Sequence, residues 1–467
     1  MTPHAIDGTK LAALRGRFTG TLLTPADPGY DETRTLFNAM IDRRPAVIAL
    51  CSTEDDVAAA VGYAQQEGLE IAVRGGGHSV AGSSTTEGGL VVDLRRMNGV
   101  SVDPDARTAR VGGGATMRDL DTATQPYALA TTGGRVSTTG VGGFVLGGGS
   151  GWLERSFGLA CDNLLAADVV TADGSRVRAD SRTHSELFWA LHGGGGNFGV
   201  VTSLTLRLHP LPALTAALLI WPEEAGPEVL RAYRDFMERA PDEVGGGLIY
   251  LTADEDDFVP GHLVGKLACV VLITFTGTER EAREAVSPML RLGHAGAMIT
   301  ELPYAELQSM LDDPPGHRNY WSAEHLDSLP DRAVDVFCAH ARDMVVPSPS
   351  QHVLFPQGGA VSRATGDHPV PWRGAPWVAH PFGLWDDPAD DVRSREWARA
   401  LRRDLQPWAN GAVYLNFIGQ EGEERVIAGF GPGNYRRLAE VKARYDPGNV
   451  FHLNHNIRPA PAAERAA

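Results

Sequence analysis

The sequence predicts an α+β protein of two domains, the first of them completed by the C-terminal tail. Three observations carry that prediction. Residues 46–111 alternate helix-like and strand-like segments. Glycine, 54 of 467 residues, gathers in runs at 75–77, 112–114, 133–151, 193–196 and 245–247, most of them before residue 200. The texture then changes after Pro210-Leu211-Pro212, where glycine thins and longer helix-like stretches appear. Glycine is used where backbone must approach something closely or take positive φ. The ligand-cradling part is therefore expected in the first two hundred residues.

The elements follow in chain order. Ser52 can cap a helix, with Asp55 three residues on as in a capping box, and the helix should stop at Gly68. EIAVRGGGH is a short apolar strand entering a glycine loop, and Gly89–Leu94 is a second strand. VSVDPDARTARVGGG reads as a hairpin turning at Pro104-Asp105. Thr116 opens a helix to about Gln125, Asp173-Gly174 turns another hairpin, and FGVVTSLTLRLHPL is a long strand. Beyond Pro212, segments 223–239 and 278–292 are helix-like and KLACVVLITFTG is a buried strand. A helix at about 434–445 precedes a Pro-Gly turn and an asparagine-rich end. The expected division is 1–210, 211–418 and 419–467, with the last segment returning to the first domain.

Composition narrows the function classes. The 43% hydrophobic and 21% charged content is that of a globular chain. A balance of 42 basic against 58 acidic residues, net −16, argues against nucleic acid or an anionic membrane as partner. Cys51, Cys161, Cys269 and Cys338 are scattered, which suits neither a zinc cluster nor a disulfide framework. The N-terminus has no apolar signal core and no apolar run approaches about 18 residues, so a cytoplasmic protein is expected.

Two glycine segments carry the chemistry. RGGGHS, Arg74–Ser79, follows a strand, so its N–H groups can converge as a nest that binds phosphate without a cation. Taken alone it could equally be a tight turn with a surface histidine. TTGGRVSTTGVGGFVLGGGSGW, 131–152, holds nine glycines with serines and threonines between them, enough exposed backbone to wrap a pyrophosphate and lie against a flat ring. It does not fit the strand–GxGxxG–helix fingerprint, and no GxxxxGK[ST] is present.

RGGGHSVAG, STTGVGGFVLGGGSGWLERSFGLACDNL, LFWALHGGGGNFGVVTSL and YDPGNVFHLNHNI, in that order across nearly the whole chain, resemble the berberine-bridge-enzyme-like family of FAD-linked oxidases. That family belongs to the vanillyl-alcohol-oxidase superfamily. The resemblance implies a PCMH-type FAD-binding fold beside a substrate domain of antiparallel sheet and helices. It implies FAD held twice, by His78 on the 8α carbon and by Cys161 on C6. The other reading of Cys161 is a buried structural thiol. By the same matching, Arg74, Gly75, Gly76, Gly77 and Ser79 line the pyrophosphate. Ser137, Thr138, Gly140, Gly142 and Gly143 follow the dinucleotide. Val201 is placed near the adenosine end, and Asn454 and Asn456 close over the flavin; Asn456 could instead cap a strand end.

On the substrate side, Tyr414 in AVYLNF resembles the family's Tyr-x-Asn segment, in which the tyrosine faces the flavin ring and takes a substrate proton, with Asn416 orienting it. A phenol titrating near 10 needs a lowered pKa or concerted transfer for that work. The alternative is an aromatic that only packs on the ring. Trp152, Tyr250, Tyr304, Trp321, Phe355 and Gln357 are candidate pocket residues. Some plant relatives carry a glutamate base near Gln357, and glutamine cannot serve as one. His317 and His325 are bases without motif support, and His452 and His455 are poor metal candidates. Phe144 stands where relatives often carry a smaller residue or histidine, and its ring could narrow oxygen access.

The function expected is hydride transfer from an alcohol or amine carbon of a small or medium organic molecule to FAD, with O2 reoxidising the flavin to give H2O2. The molecule would be a secondary metabolite, sugar or nitrogen heterocycle, and the protein a monomer or homodimer needing no metal. The rival readings are an oxygenating tailoring enzyme and a catalytically silent flavin-binding protein.

Overall fold

In a computed structural model, residues 7–312, 315–364 and 366–461 are described. The chain begins with a four-stranded sheet in the order 21–23, 47–50, 90–93, 71–74. Its last three strands are parallel, and Glu54–Gln66 is the helix that crosses between two of them. Thr53, not Ser52, caps that helix. Its extended backbone lets its hydroxyl accept from the N–H of Asp56, whose carboxylate reaches back to the cap. The capping box thus sits one residue later than the sequence suggested. The helix ends before Gly68, whose φ of +63° only glycine adopts readily.

A five-stranded antiparallel sheet follows, in the order 100–103, 108–112, 200–207, 164–170, 176–180. Both expected hairpins form its outer pairs. Its core is shared with the tail: Val111, Val169 and Leu204 pack in one cluster with Val413, Phe430, Leu438 and Ile457. Lys442 pins this return. Its ammonium pairs with Asp446 at 2.8 Å, both side chains fully buried, and donates to the carbonyls of Asn197 and Phe451. A buried ammonium is tolerated only when it is satisfied in this way.

The remaining sheet is antiparallel, with eight strands in the order 296–301, 215–222, 267–275, 244–252, 351–356, 377–385, 318–321, and 324–326 also pairing with 377–385. Side chains alternate across it. Leu248, Tyr250, Leu354, Trp377 and Ala379 face a core built with helices Gly226–Met237, Asp331–Ala341 and Asp391–Leu405. Ile249, Val353, Phe355 and Val378 face the other way, toward Ala130, Trp152 and Leu153 of the glycine-rich half. The helix expected over 278–292 is two pieces, Glu279–Ala285 and Ser287–Leu290, because Pro288 lacks the N–H that would continue the first. Among the described residues, no helix is long and apolar enough to cross a membrane.

Candidate active site

One cavity runs between the glycine-rich half and the second face of the eight-stranded sheet. Its first wall is backbone: Gly75–Gly77, Gly140, Gly142, Gly143, Gly147 and Gly193–Gly196. The loops can meet because they lack Cβ atoms. A Cβ on Gly76 would lie 2.3 Å from the amide nitrogen of Gly140, and one on Gly140 would lie 2.3 Å from that of Gly76. A Cβ on Gly143 or Gly196 would have nothing within 4 Å, so those glycines border open space. This wall offers N–H groups and no carboxylate, which is what a pyrophosphate needs.

His78 stands at the end of that wall. Its ring stacks on Phe37 with centroids 4.1 Å apart, and Nε2 lies 2.8 Å from Thr138 Oγ1. Nδ1 is buried without a partner. Burial pushes the pKa down to about 4, so the imidazole is neutral and nucleophilic at neutral pH. The carbonyl oxygen of Asn454's side chain is likewise buried and unpartnered beside the cavity. Orphaned polar atoms of this kind call for a bound group.

Tyr414 closes the cavity's floor. Its phenol oxygen accepts from the N–H groups of Gly149 at 3.1 Å and Ser150 at 3.2 Å, and from the Asn416 amide at 2.9 Å. Asn416 also donates to the carbonyl of Phe144 at 3.2 Å. A Cβ on Gly147 would sit 2.2 Å from the Asn416 side chain and displace its amide. Burial raises the phenol to about 12 although these donors pull the other way.

The second wall is side chains. Trp152, Ile249, Val353, Phe355, Trp321 and Phe382 line it, together with Arg135 and His380. Arg135 is the single lysine or arginine on the cavity among the described residues. Its guanidinium lies 3.8 Å above the centre of Phe355, donates to Ser150, and sits 3.5 Å from Glu154.

Of the residues singled out in the sequence, Gly75, Gly76, Gly77, His78, Ser79, Gly140, Gly142, Gly143, Val201, Asn454, Tyr414, Asn416, Trp152, Trp321 and Phe355 line this one cavity, as does Phe144. The others stand elsewhere. Arg74 turns behind the loop and donates to the carbonyls of Thr33 and Thr35, so it braces the turn and does not face the cavity. Ser137 is tied to Asp312 on the outer side, leaving Val136 on the cavity. Thr138 acts through His78. Asn456 lies off the lining, where its neighbour His455 faces in. Tyr304 supports the glycine segment from outside, its hydroxyl accepting from the Gly133 N–H at 3.1 Å. Gln357 donates to Glu154 at 2.9 Å, one layer behind Arg135. Tyr250 points to the helix-backed face of its strand, and it is Ile249 that reaches the cavity.

The geometry lends no support to the expected second tether. Cys161 is fully buried and does not line the cavity. It sits behind Tyr414 in a cluster with Leu159, Val361, Val370 and Trp372, its sulfur 3.8 Å from Arg373 and from Asp162. Burial pushes its thiol up, away from the thiolate that forms such a bond. His317 pairs with Asp386 at the surface and His325 is sealed against Trp372; neither meets the cavity. Sequence reasoning missed Arg135 and His380. The first was signalled by a cation inside a glycine run, the second by a lone polar residue in the apolar segment WVAHPFGLW.

Comparisons with known proteins converge on one family. A model of the FAD binding domain matches residues 45–180. A model described as berberine and berberine like matches residues 413–458, the segment carrying Tyr414 and Asn416. The (R)-6-hydroxynicotine oxidase of Paenarthrobacter nicotinovorans is 31% identical over 463 residues, covering 94% of this chain and 97% of that protein. An uncharacterized FAD-linked oxidoreductase of Bacillus subtilis is 28% identical over 460 residues, covering 95% and 98%. The crystal structure of 6-hydroxy-D-nicotine oxidase from Arthrobacter nicotinovorans superposes with a TM-score of 0.84 at 29% identity, over 95% of this chain and 98% of that one. A chitooligosaccharide oxidase shares the fold, with a TM-score of 0.83 at 22% identity over 97% and 99%. A glycine-walled cavity with a neutral histidine at its end, a Tyr-x-Asn floor and these relatives together place the chain in the berberine-bridge-enzyme-like family of FAD-linked oxidoreductases.

Proposed function

We propose that this protein is an oxidase of small or medium organic molecules that holds FAD by one covalent bond, through His78. The observation that carries the reading is the opposition of two walls across one cavity. Backbone N–H groups, an unpaired histidine nitrogen and the Tyr414–Asn416 floor face an aromatic side-chain wall. FAD bound there supplies the two-electron acceptor, which O2 reoxidises with release of H2O2. Gly75–Gly77 and Gly140–Gly143 hold the pyrophosphate, and His78 anchors the ring end. Asn416 and the Gly149 and Ser150 N–H groups fix the Tyr414 phenol against the floor. Trp152, Trp321, Phe355 and Phe382 exclude water and stack on a flat substrate.

The substrate is an alcohol or amine whose oxidised carbon lies on a planar or ring-bearing molecule. A nitrogen heterocycle, as the name of the nicotine oxidase suggests, or a hydroxylated secondary metabolite suits the aromatic wall better than a bare sugar does. The four cysteines are buried and unpaired, as suits a reducing cytoplasm. The test is anaerobic mixing of the holoenzyme with a panel of hydroxylated heterocycles, benzylic alcohols and sugars. Bleaching of the oxidised flavin by an aromatic member, then recovery in air with one H2O2 per turnover, is expected. Bleaching that only a dye reverses would make the protein a dehydrogenase. Bleaching by sugars alone would overturn the substrate class.

A further inference from the structure

We propose that His380 presents an open hydrogen-bond acceptor to the substrate, and that the enzyme selects flat molecules carrying an O–H or N–H donor beside the carbon it oxidises. The inference rests on the reading of the side-chain wall as the substrate wall. It assigns the hydrogen-bond-accepting role there to His380 in place of Tyr414.

Strand Trp377–Trp385 alternates its side chains, so that Ala379 enters the helix-backed core while His380 and Phe382 face the cavity. The imidazole is held firmly. It stacks on Phe417 with centroids 4.0 Å apart and meets Trp321 edge-on at 5.9 Å. Nδ1 lies 2.8 Å from the carbonyl oxygen of Ser322. A carbonyl only accepts, so Nδ1 carries the proton and Nε2 of the neutral ring keeps its lone pair. Among the described residues Nε2 has no hydrogen-bond partner, and it is absent from the polar atoms sealed away without one. Burial, with the Arg135 charge adding to it, depresses the pKa to about 3, so the ring stays neutral and the lone pair stays available.

Tyr414 offers no comparable acceptor. Its oxygen already receives the N–H groups of Gly149, Ser150 and Asn416, which occupy its lone pairs. No carboxylate lines the cavity among the described residues. With an alcohol bound, Nε2 would accept a hydrogen bond from the hydroxyl and so orient the carbon to be oxidised; FAD would supply the two-electron acceptor.

The test needs no known substrate. Phenol and anisole are both flat, but only phenol donates a hydrogen bond. Their binding to the holoenzyme is followed by the perturbation of flavin absorbance. Phenol should bind at least about tenfold tighter, since a buried acceptor left unpaired is penalised by roughly that factor or more. The preference should vanish in His380→Phe, survive in part in His380→Gln, which keeps an acceptor oxygen, and persist in Tyr414→Phe. Preference retained in both His380 variants, preference lost in Tyr414→Phe alone, or no preference in the wild type would overturn the proposal. So would failure of either probe to bind. If no compound in the panel reduces the flavin, the oxidase reading falls while the phenol preference still decides the role of His380.

Discussion

The two walls of the cavity recognise by different means. The glycine wall uses main chain, and its specificity comes from the absence of side chains: Gly76 and Gly140 touch through backbone atoms. The second wall uses side chains, most of them from strands 244–252, 351–356, 377–385 and 318–321, with Arg135 and Trp152 added from the glycine-rich segment. A backbone site tolerates almost no added atom where the loops meet. A side-chain site can be re-cut one residue at a time. The first wall therefore suits a constant cofactor and the second a variable substrate.

Acid should produce the largest effect, on both sides of the cavity, since burial also holds His78 down to about 4. His325 and His380 are depressed to about 3 from 6.5, and His352 well below 6.5, in each case chiefly by burial. A folded-state pKa below the unfolded one stabilises fully above 6.5, and that stability is lost as the pH falls toward 3. Denaturant titrations should show a decline on the order of several kcal/mol across that window. A flat profile would mean these rings are solvated. Next, Gly140→Ala should destabilise by about 3 kcal/mol and abolish flavin loading, because backbone atoms cannot yield to its Cβ. Flavin content and melting temperature together read this out.

Tyr414→Phe strips the acceptor from two buried N–H groups and should lower stability by about 2 kcal/mol in a denaturant melt, with FAD retained. On the sheet wall, Phe382→Leu should lose only about 1 kcal/mol and keep full flavin content while shifting which substrates bleach the flavin. Gly143→Ala should leave the stability of the flavin-free protein unchanged, since its Cβ meets no protein atom, yet reduce flavin loading. Equal stability losses in Gly140→Ala and Gly143→Ala would erase the distinction between loop packing and cofactor contact.

The contrast between the walls also explains what could be read in the sequence. Glycine runs, the helix start at Thr116 and the hairpin turns are local signals, and they lie where the sequence placed them. That His78 and Tyr414 share one cavity was legible because each sits in a short distinctive segment. The sheet wall was not. The strands 351–356 and 377–385 are almost continuously buried, so their sequences carry no alternation of apolar and polar residues to reveal which face is which. Tyr250 was assigned to the pocket one residue out of phase, and a one-residue slip in a strand reverses the face. The orientation of Cys161 was hidden for a related reason: the short turn Ala160–Asn163 directs its sulfur toward Arg373, and nothing in the spacing shows that direction.

The intact mass of the denatured protein, compared with those of His78→Ala and Cys161→Ala, bears most directly on a flavin anchored through the glycine wall alone. A wild-type mass raised by one FAD, unchanged in Cys161→Ala and lost in His78→Ala, is the expected result. Retention of the added mass in His78→Ala, or its absence from the wild type, would contradict a single covalent bond at His78.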